Sequence, residues 1–113
     1  MATEKKALWV VCKMDKKMTT PEWRQRFSSS YPVMLEITGL LFKCWWCNHQ
    51  KNEWGALYIF DSEADLQTYL KSDHWIIKVP AKYGVKPEFS ILEPGPIMCK
   101  KTITNAENSW ITT

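Results

Sequence analysis

Leu40 to Asn48 reads LLFKCWWCN, a run that is apolar at odd and even positions alike, with Lys43 the one charge inside it. Gly39 precedes it and the polar stretch 49–53 follows it. A run this short, aromatic and bounded by turn residues predicts a β-strand. Side chains on a strand alternate faces, so Leu41, Lys43, Trp45 and Cys47 are expected on one side, and Leu40, Phe42, Cys44 and Trp46 on the other. A sheet containing such a strand has two apolar faces and needs a cover on each. Residues 54–60, WGALYIF, predict a second strand paired antiparallel to the first through the short polar link.

The same alternation decides how the C-x-x-C spacing of Cys44 and Cys47 reads. Three residues apart on an extended chain, the two thiols point to opposite faces and can neither bridge nor chelate together. There is no second C-x-x-C, and His49 completes only a three-member set, short of a structural zinc site. All four cysteines, Cys12, Cys44, Cys47 and Cys99, are therefore expected to be buried free thiols, with no metal site.

The rest of the chain supplies partners for the hairpin. Residues 7–14 (ALWVVCKM) predict a first strand with little solvent on either face. Thr20-Pro21-Glu22 predicts a helix start, with a hydroxyl cap, proline in the first turn and an acid behind it. Trp23 and Phe27 face inward one turn apart. Ser28-Ser29-Ser30 and Pro32 predict a kink or break, with a short helix resuming at Val33 and Gly39 ending the unit. Ser62 and Asp65 stand at capping-box spacing before a second helix that carries Leu66, Tyr69 and Leu70 on one face. Lys71-Ser72-Asp73 interrupts it. A further helical piece then places Trp75, Val79 and Tyr83 at i, i+4, i+8, bent by Pro80 and capped by Gly84. Residues 85–92 predict a fourth strand, residues 97–103 a peripheral fifth, and little order is expected from Thr104 onward.

The resulting order is β-α-β-β-α-β. It predicts an α+β, ferredoxin-like protomer with an antiparallel sheet and helices on one face only. The uncovered apolar face predicts a homodimer packed sheet to sheet. The 113 residues are one domain's length, with a core over about 7–93 and a C-terminal extension over 97–113.

Composition narrows the function classes. A net charge of +3 from 15 basic and 12 acidic residues, with no basic stripe, argues against nucleic acid. No run reaches transmembrane length and no signal peptide is evident, so the expected location is cytoplasmic, with no membrane partner. Seven tryptophans are many for such a chain and suit the walls of an apolar ligand pocket as well as a core.

Gly39-Leu40-Leu41-Phe42-Lys43-Cys44-Trp45 resembles a G-hydrophobic-x-x-K-x-W strand, and Gly55 to Asp61 resembles the G-G-hydrophobic-Y-hydrophobic-F strand and helix cap that follows it. Residues 64–74 are similar to the next helix, which ends in a histidine. Together these motifs resemble the YdhR-like putative mono-oxygenase family of the dimeric α+β barrel superfamily, over roughly residues 7–93. Ala56 stands where the pattern has glycine. The resemblance implies a homodimer and a pocket between sheet and helices in each protomer. It also implies chemistry on aromatic polyketides without metal, flavin or haem. Some relatives are oxygenases, others cyclases, isomerases or decarboxylases.

Against that background His74, at the break after the second helix, is the candidate general base; the alternative is a helix-end histidine hydrogen-bonded to backbone. His49, in a polar hairpin, is expected in solvent. Tyr58 is the candidate hydrogen-bond donor to a carbonyl or enolate. Trp9, Trp23, Lys43, Trp45, Trp75 and Tyr83 are the candidate substrate-binding residues, with Lys43 able to offset negative charge on a substrate. The leading expectation is a cofactor-independent, mono-oxygenase-like enzyme of secondary metabolism acting on a hydrophobic aromatic or polyketide-type molecule. A non-oxidative cyclase or isomerase using His74 as acid and base, and a non-catalytic small-molecule-binding dimer, are the alternatives.

Overall fold

The computed structural model describes residues 4–98 and 100. Four strands and three α-helices follow in the order β1 (Lys6–Lys13), α1 (Thr20–Leu35), β2 (Leu40–Asn48), β3 (Glu53–Phe60), α2 (Glu63–Leu70), a π-helical turn (His74–Lys78), α3 (Val79–Tyr83) and β4 (Glu88–Leu92). The sheet order is β2-β3-β1-β4 with every neighbouring pair antiparallel. This is the expected ferredoxin-like α+β protomer. Among the described residues no helix is long and apolar enough to cross a membrane.

Strand register sorts the side chains. Leu8, Val10 and Cys12 on β1 oppose Tyr58, Ala56 and Trp54 on β3, and all six are buried beneath the helices. Phe60, Trp23, Phe27, Leu66 and Tyr69 complete that core. Full burial of each large apolar side chain there stabilises the fold by roughly 1.5–3 kcal/mol. Trp9 and Trp46 point to the opposite face, where their rings stack at 5.3 Å. Gly55 lies beneath that stack: a Cβ there would come within 2.6 Å of the Trp46 ring and closer still to the Val10 carbonyl oxygen. Only glycine lets the indole lie this near the backbone.

Several details depart from the sequence expectations, each for a local reason. The cap of α1 is Thr19, not Thr20. Its hydroxyl accepts from the Glu22 N–H at 3.3 Å, while Glu22 Oε1 accepts from the Thr19 N–H at 3.1 Å. That reciprocal bond needs a three-residue spacing, which Thr20 does not have to Glu22. Pro32 does not break α1, which runs through to Leu35. The Ser29 and Ser30 hydroxyls donate to the Arg26 carbonyl oxygen at 2.8 and 3.1 Å, and Lys82 ties this turn to α3. On β2, Leu40 pairs with Phe60 but Phe42 already pairs with Ile59, so Leu41 is the extra residue of a β-bulge. The bulge turns Leu40 to the core with Trp45 and Cys47, and leaves Leu41 exposed.

β4 starts at Glu88, three residues later than expected, because Pro87 offers no N–H to the ladder. Its Phe89 and Ile91 share the helix-side face but stay about half exposed at the sheet edge. Cys44 is exposed rather than buried, Cys12 is buried and Cys47 partly so. The proposed fifth strand is not formed at Ile97 and Met98. Its remainder, with Cys99 and the tail from Thr104, lies largely outside the described residues.

Candidate active site

The chain from Leu70 to Gly84 builds one wall of a cavity. α2 ends at Leu70 with Lys71 as its C-cap, and Ser72 caps the next turn: its hydroxyl donates to the Tyr69 carbonyl oxygen at 2.6 Å and accepts from the Trp75 N–H at 3.3 Å. The backbone then widens into a π turn, in which the Val79 N–H donates to the His74 carbonyl oxygen. Pro80 has no N–H with which to continue the earlier ladder and sits in the first turn of α3. Turns of this kind are frequent at functional sites. Trp75, Val79 and Tyr83 all pack inward at 7% exposure, as their spacing predicted. His74, Lys78 and Lys82 repeat at the same i, i+4, i+8 interval, one residue earlier in each case.

That second stripe faces a cavity of about 210 Å³ between the sheet and the helices. Lys43, Trp45, Trp54 and Tyr58 come from the sheet. Ser29, Ser30, Val33 and Met34 come from α1, and His74, Lys78, Val79, Lys82 and Tyr83 from the π turn and α3. Five of the eight sequence candidates therefore meet here: His74, Tyr58, Lys43, Trp45 and Tyr83. Three do not. Trp9 is on the far face of the sheet. Trp23 is buried in the core against Phe27 and Trp54. Trp75 packs on Tyr69 and edge-on against Phe89, behind the cavity wall.

Trp54, Ser29, Ser30, Lys78 and Lys82 were not singled out by sequence reasoning. The His74-Lys78-Lys82 interval was the available signal for the two lysines. The serines and Trp54 carried none, because they join the site through contacts between α1, β3 and α3.

The electrostatics are one-sided. His74 is half-buried, its ring lies 6.0 Å from the Tyr69 ring, and among the described residues the imidazole has no hydrogen-bond partner. The bland reading of a helix-end histidine bonded to backbone is thus not what the geometry holds. Burial first, and then the charges of Lys43, Lys78 and Lys82, hold its pKa below the usual 6.5, so the ring is neutral at pH 7. Lys43 Nζ lies 4.5 Å from the Trp45 ring centre and 4.3 Å from that of Tyr58. Burial, helped by the Lys82 charge, pulls its pKa well down.

Lys82 is held rigidly. It donates to Ser30 Oγ at 2.7 Å, to Ser29 Oγ at 2.9 Å and to the Arg26 carbonyl oxygen at 3.3 Å, while the Arg26 guanidinium donates to the Lys82 carbonyl oxygen. The Tyr58 hydroxyl is buried within 3.2 Å of the Tyr69 hydroxyl, and either can donate. Burial and then the Tyr69 neighbour push the Tyr58 pKa far up, so it remains a neutral phenol.

Cys12, Cys44 and Cys47 stay apart from this site. Cys44 opposes Leu57 on the outer face, while Cys47 opposes Trp54 on the core side. Cys12 is a buried thiol whose pKa is pushed up to about 12, chiefly by burial. His49 is exposed, with Nε2 3.4 Å from Thr20 Oγ1 and 3.6 Å from Cys47 Sγ. Among the described residues no group of three or more His, Cys, Asp or Glu side chains is placed to hold a metal ion.

The family described as "Putative mono-oxygenase ydhR" matches residues 9–95. No curated protein matches the chain. Among solved structures, a protein of unknown function from Nitrosomonas europaea is similar with a TM-score of 0.64 and 16% identity, covering 90% of this chain and 100% of that one. SnoaB, a cofactor-independent oxygenase from Streptomyces nogalater, aligns with a TM-score of 0.59 at 9% identity, over 89% of this chain and 98% of that one. A mono-oxygenase from the ActVA-Orf6 gene of Streptomyces coelicolor, in complex with the ligand nanaomycin D, gives 0.59 at 11% identity, over 88% and 94%. At these identities the likenesses establish the shared fold.

Proposed function

The chain belongs to the YdhR family of putative mono-oxygenases, and from that premise we propose that it is a cofactor-independent mono-oxygenase of secondary metabolism acting on a hydrophobic, aromatic or polyketide-type small molecule. The observation that carries this reading is His74, an imidazole with no hydrogen-bond partner among the described residues, set in the wall of an aromatic-lined cavity, where burial and three lysines hold its pKa below 6.5. A base needs a free lone pair and a pKa near or below the working pH, and this ring has both.

His74 takes a proton from a phenol, or from a methylene activated by a neighbouring carbonyl. The electron pair left behind delocalises onto oxygen. Lys43 and the Tyr58–Tyr69 pair stabilise that oxyanion by charge and by hydrogen bonding. The electron-rich carbon adds to dioxygen and forms a hydroperoxide. Loss of water from it leaves a carbonyl, so CH₂ and O₂ become C=O and H₂O. The cavity's rings, Trp45, Trp54 and Tyr83, keep bulk water away from the carbanion.

A homodimer belongs to the same reading. It is supported by the apolar outer face of the sheet, where Trp9 is 38% exposed beside Trp46 and Leu57.

The test is the acid side of the pH–rate profile. His74 acts as its neutral form, so kcat/KM falls as pH drops through the His74 pKa. That pKa is lowered by burial and by three lysines, so the limb lies below 6.5. It should coincide with the His74 titration followed by NMR. Lys78→Met removes one of the repelling charges, and should move both the limb and the NMR titration upward together. An acid limb unrelated to the His74 titration removes His74 as the base.

A further inference from the structure

The cavity gathers several cationic side chains, and among the described residues no carboxylate lines it to balance them. Lys43, Lys78, Lys82 and His74 line it, and none of its lining residues is Asp or Glu. None of the three lysines takes part in an ion pair among the described residues. The Ser29 and Ser30 hydroxyls donate their protons to the Arg26 carbonyl oxygen and accept from Lys82, so they offer little to an incoming donor. Trp54 is 3% exposed and lines the cavity, yet among the described residues its buried indole N–H has no acceptor. Buried donors are ordinarily paired; the indole N–H groups of Trp23 and Trp46 are also without an acceptor among the described residues, and Trp54 is the one of the three that lines this cavity.

Size gives a second constraint. An apolar cavity of about 150 Å³ takes benzene, and drug-sized ligands occupy roughly 300 Å³ upward. A cavity of about 210 Å³ falls between these.

From these observations we propose that the site recognises a small anionic aromatic: a phenol of one or two fused rings that already carries a carboxylate or an equivalent fixed negative group before any proton is removed. This rests on the reading of the site given above and narrows its substrate class. The rings stack among Trp45, Trp54 and Tyr83. The anionic group accepts from Lys43 and the Trp54 N–H at the floor, with Lys82 fixed beside it by α1. Lys78, exposed at the mouth, draws the anion in. The bound anion relieves the repulsion between Lys43 and Lys82, so the ligand supplies the charge balance that the protein lacks.

The probe pair is 1-hydroxy-2-naphthoate and its methyl ester, with binding followed by quenching of tryptophan fluorescence and by calorimetry. The wild-type protein should bind the acid at least about tenfold more tightly than the ester, a ratio expected of a charge-assisted hydrogen bond in a partly dry site. Lys43→Met should bring the ratio to within about threefold, by weakening the acid more than the ester. Lys78→Met, a surface change that poses little risk to folding, should weaken the acid alone and flatten the salt dependence of its binding. Equal affinity for acid and ester, or no binding of either, overturns the proposal. So does a wild-type protein that never discriminates acid from ester while Lys43→Met loses turnover of a neutral phenol, because the lysine would then serve only a developing charge. In that case the mono-oxygenase reading stands. Discrimination of acid from ester, without oxidation of any phenol by the wild-type protein, sustains this proposal and removes that reading.

Discussion

Replacing His74 with Gln lowers turnover by about 10²- to 10⁴-fold, the range that a positioned general base contributes. Glutamine keeps most of the ring's volume and a polar tip, so the π turn and the packing of Trp75 beneath it are preserved. It cannot accept a proton near neutral pH. Ligand affinity should therefore stay within a few-fold of wild type, and the loss should appear in kcat. This split separates a base from a wall residue, whose removal would raise KM. The same experiment reports on the lysines. If they hold the imidazole neutral, the residual rate of the variant should lose its dependence on pH below 6.5. Unchanged turnover would leave Tyr58 as the only proton-carrying group of the original pair. The depth at which Tyr58 is buried makes it a poor base.

Trp9→Glu should convert the proposed sheet-to-sheet homodimer into monomers at micromolar concentration. Trp9 projects from the outer face of the sheet at 38% exposure and stacks on Trp46 over Gly55. An aromatic at the centre of an interface commonly accounts for 2 kcal/mol or more of binding, about 30-fold in Kd, and a carboxylate in its place must also be desolvated. The helix-side core of Leu8, Val10 and Cys12 is untouched by the change, so the circular dichroism spectrum should stay native. Sedimentation should show half the wild-type mass. A native spectrum with unaltered mass would place the subunit contact elsewhere or deny it.

The parts of this molecule that follow from local rules were readable in its sequence. β2 spans the predicted Leu40–Asn48, the Ser62 cap forms as its spacing implies, and Trp75, Val79 and Tyr83 are buried together. Gly84 adopts the left-handed conformation that ends α3. What the sequence concealed depends on choices between equivalent alternatives. β1 is apolar on both faces, so alternation shows that Trp9 opposes Val10 but not which of them faces the cavity. The bulge at Leu41 shifts one residue of β2 to the other side, and no hydrophobic pattern announces an extra residue. Pro32 reads as a helix breaker because propensity ignores the hydroxyls of Ser29 and Ser30 and the ammonium of Lys82, which brace the same turn from outside the backbone ladder. The cavity gathers residues from Ser29 to Tyr83, so its cluster of cationic side chains appears only when α1, the sheet and α3 are assembled.

The most direct test of the account measures oxygen during turnover. Protein stripped of metal by chelation, with no cofactor added, is given 1-hydroxy-2-naphthoate and a panel of one- and two-ring phenols under ¹⁸O₂, and both dioxygen uptake and product mass are recorded. One O₂ should be consumed per product and one ¹⁸O atom retained in it, with loss of both in His74→Gln. Product formed at the same rate under strict anaerobiosis would contradict this, and would make the same base the agent of an isomerisation or ring closure.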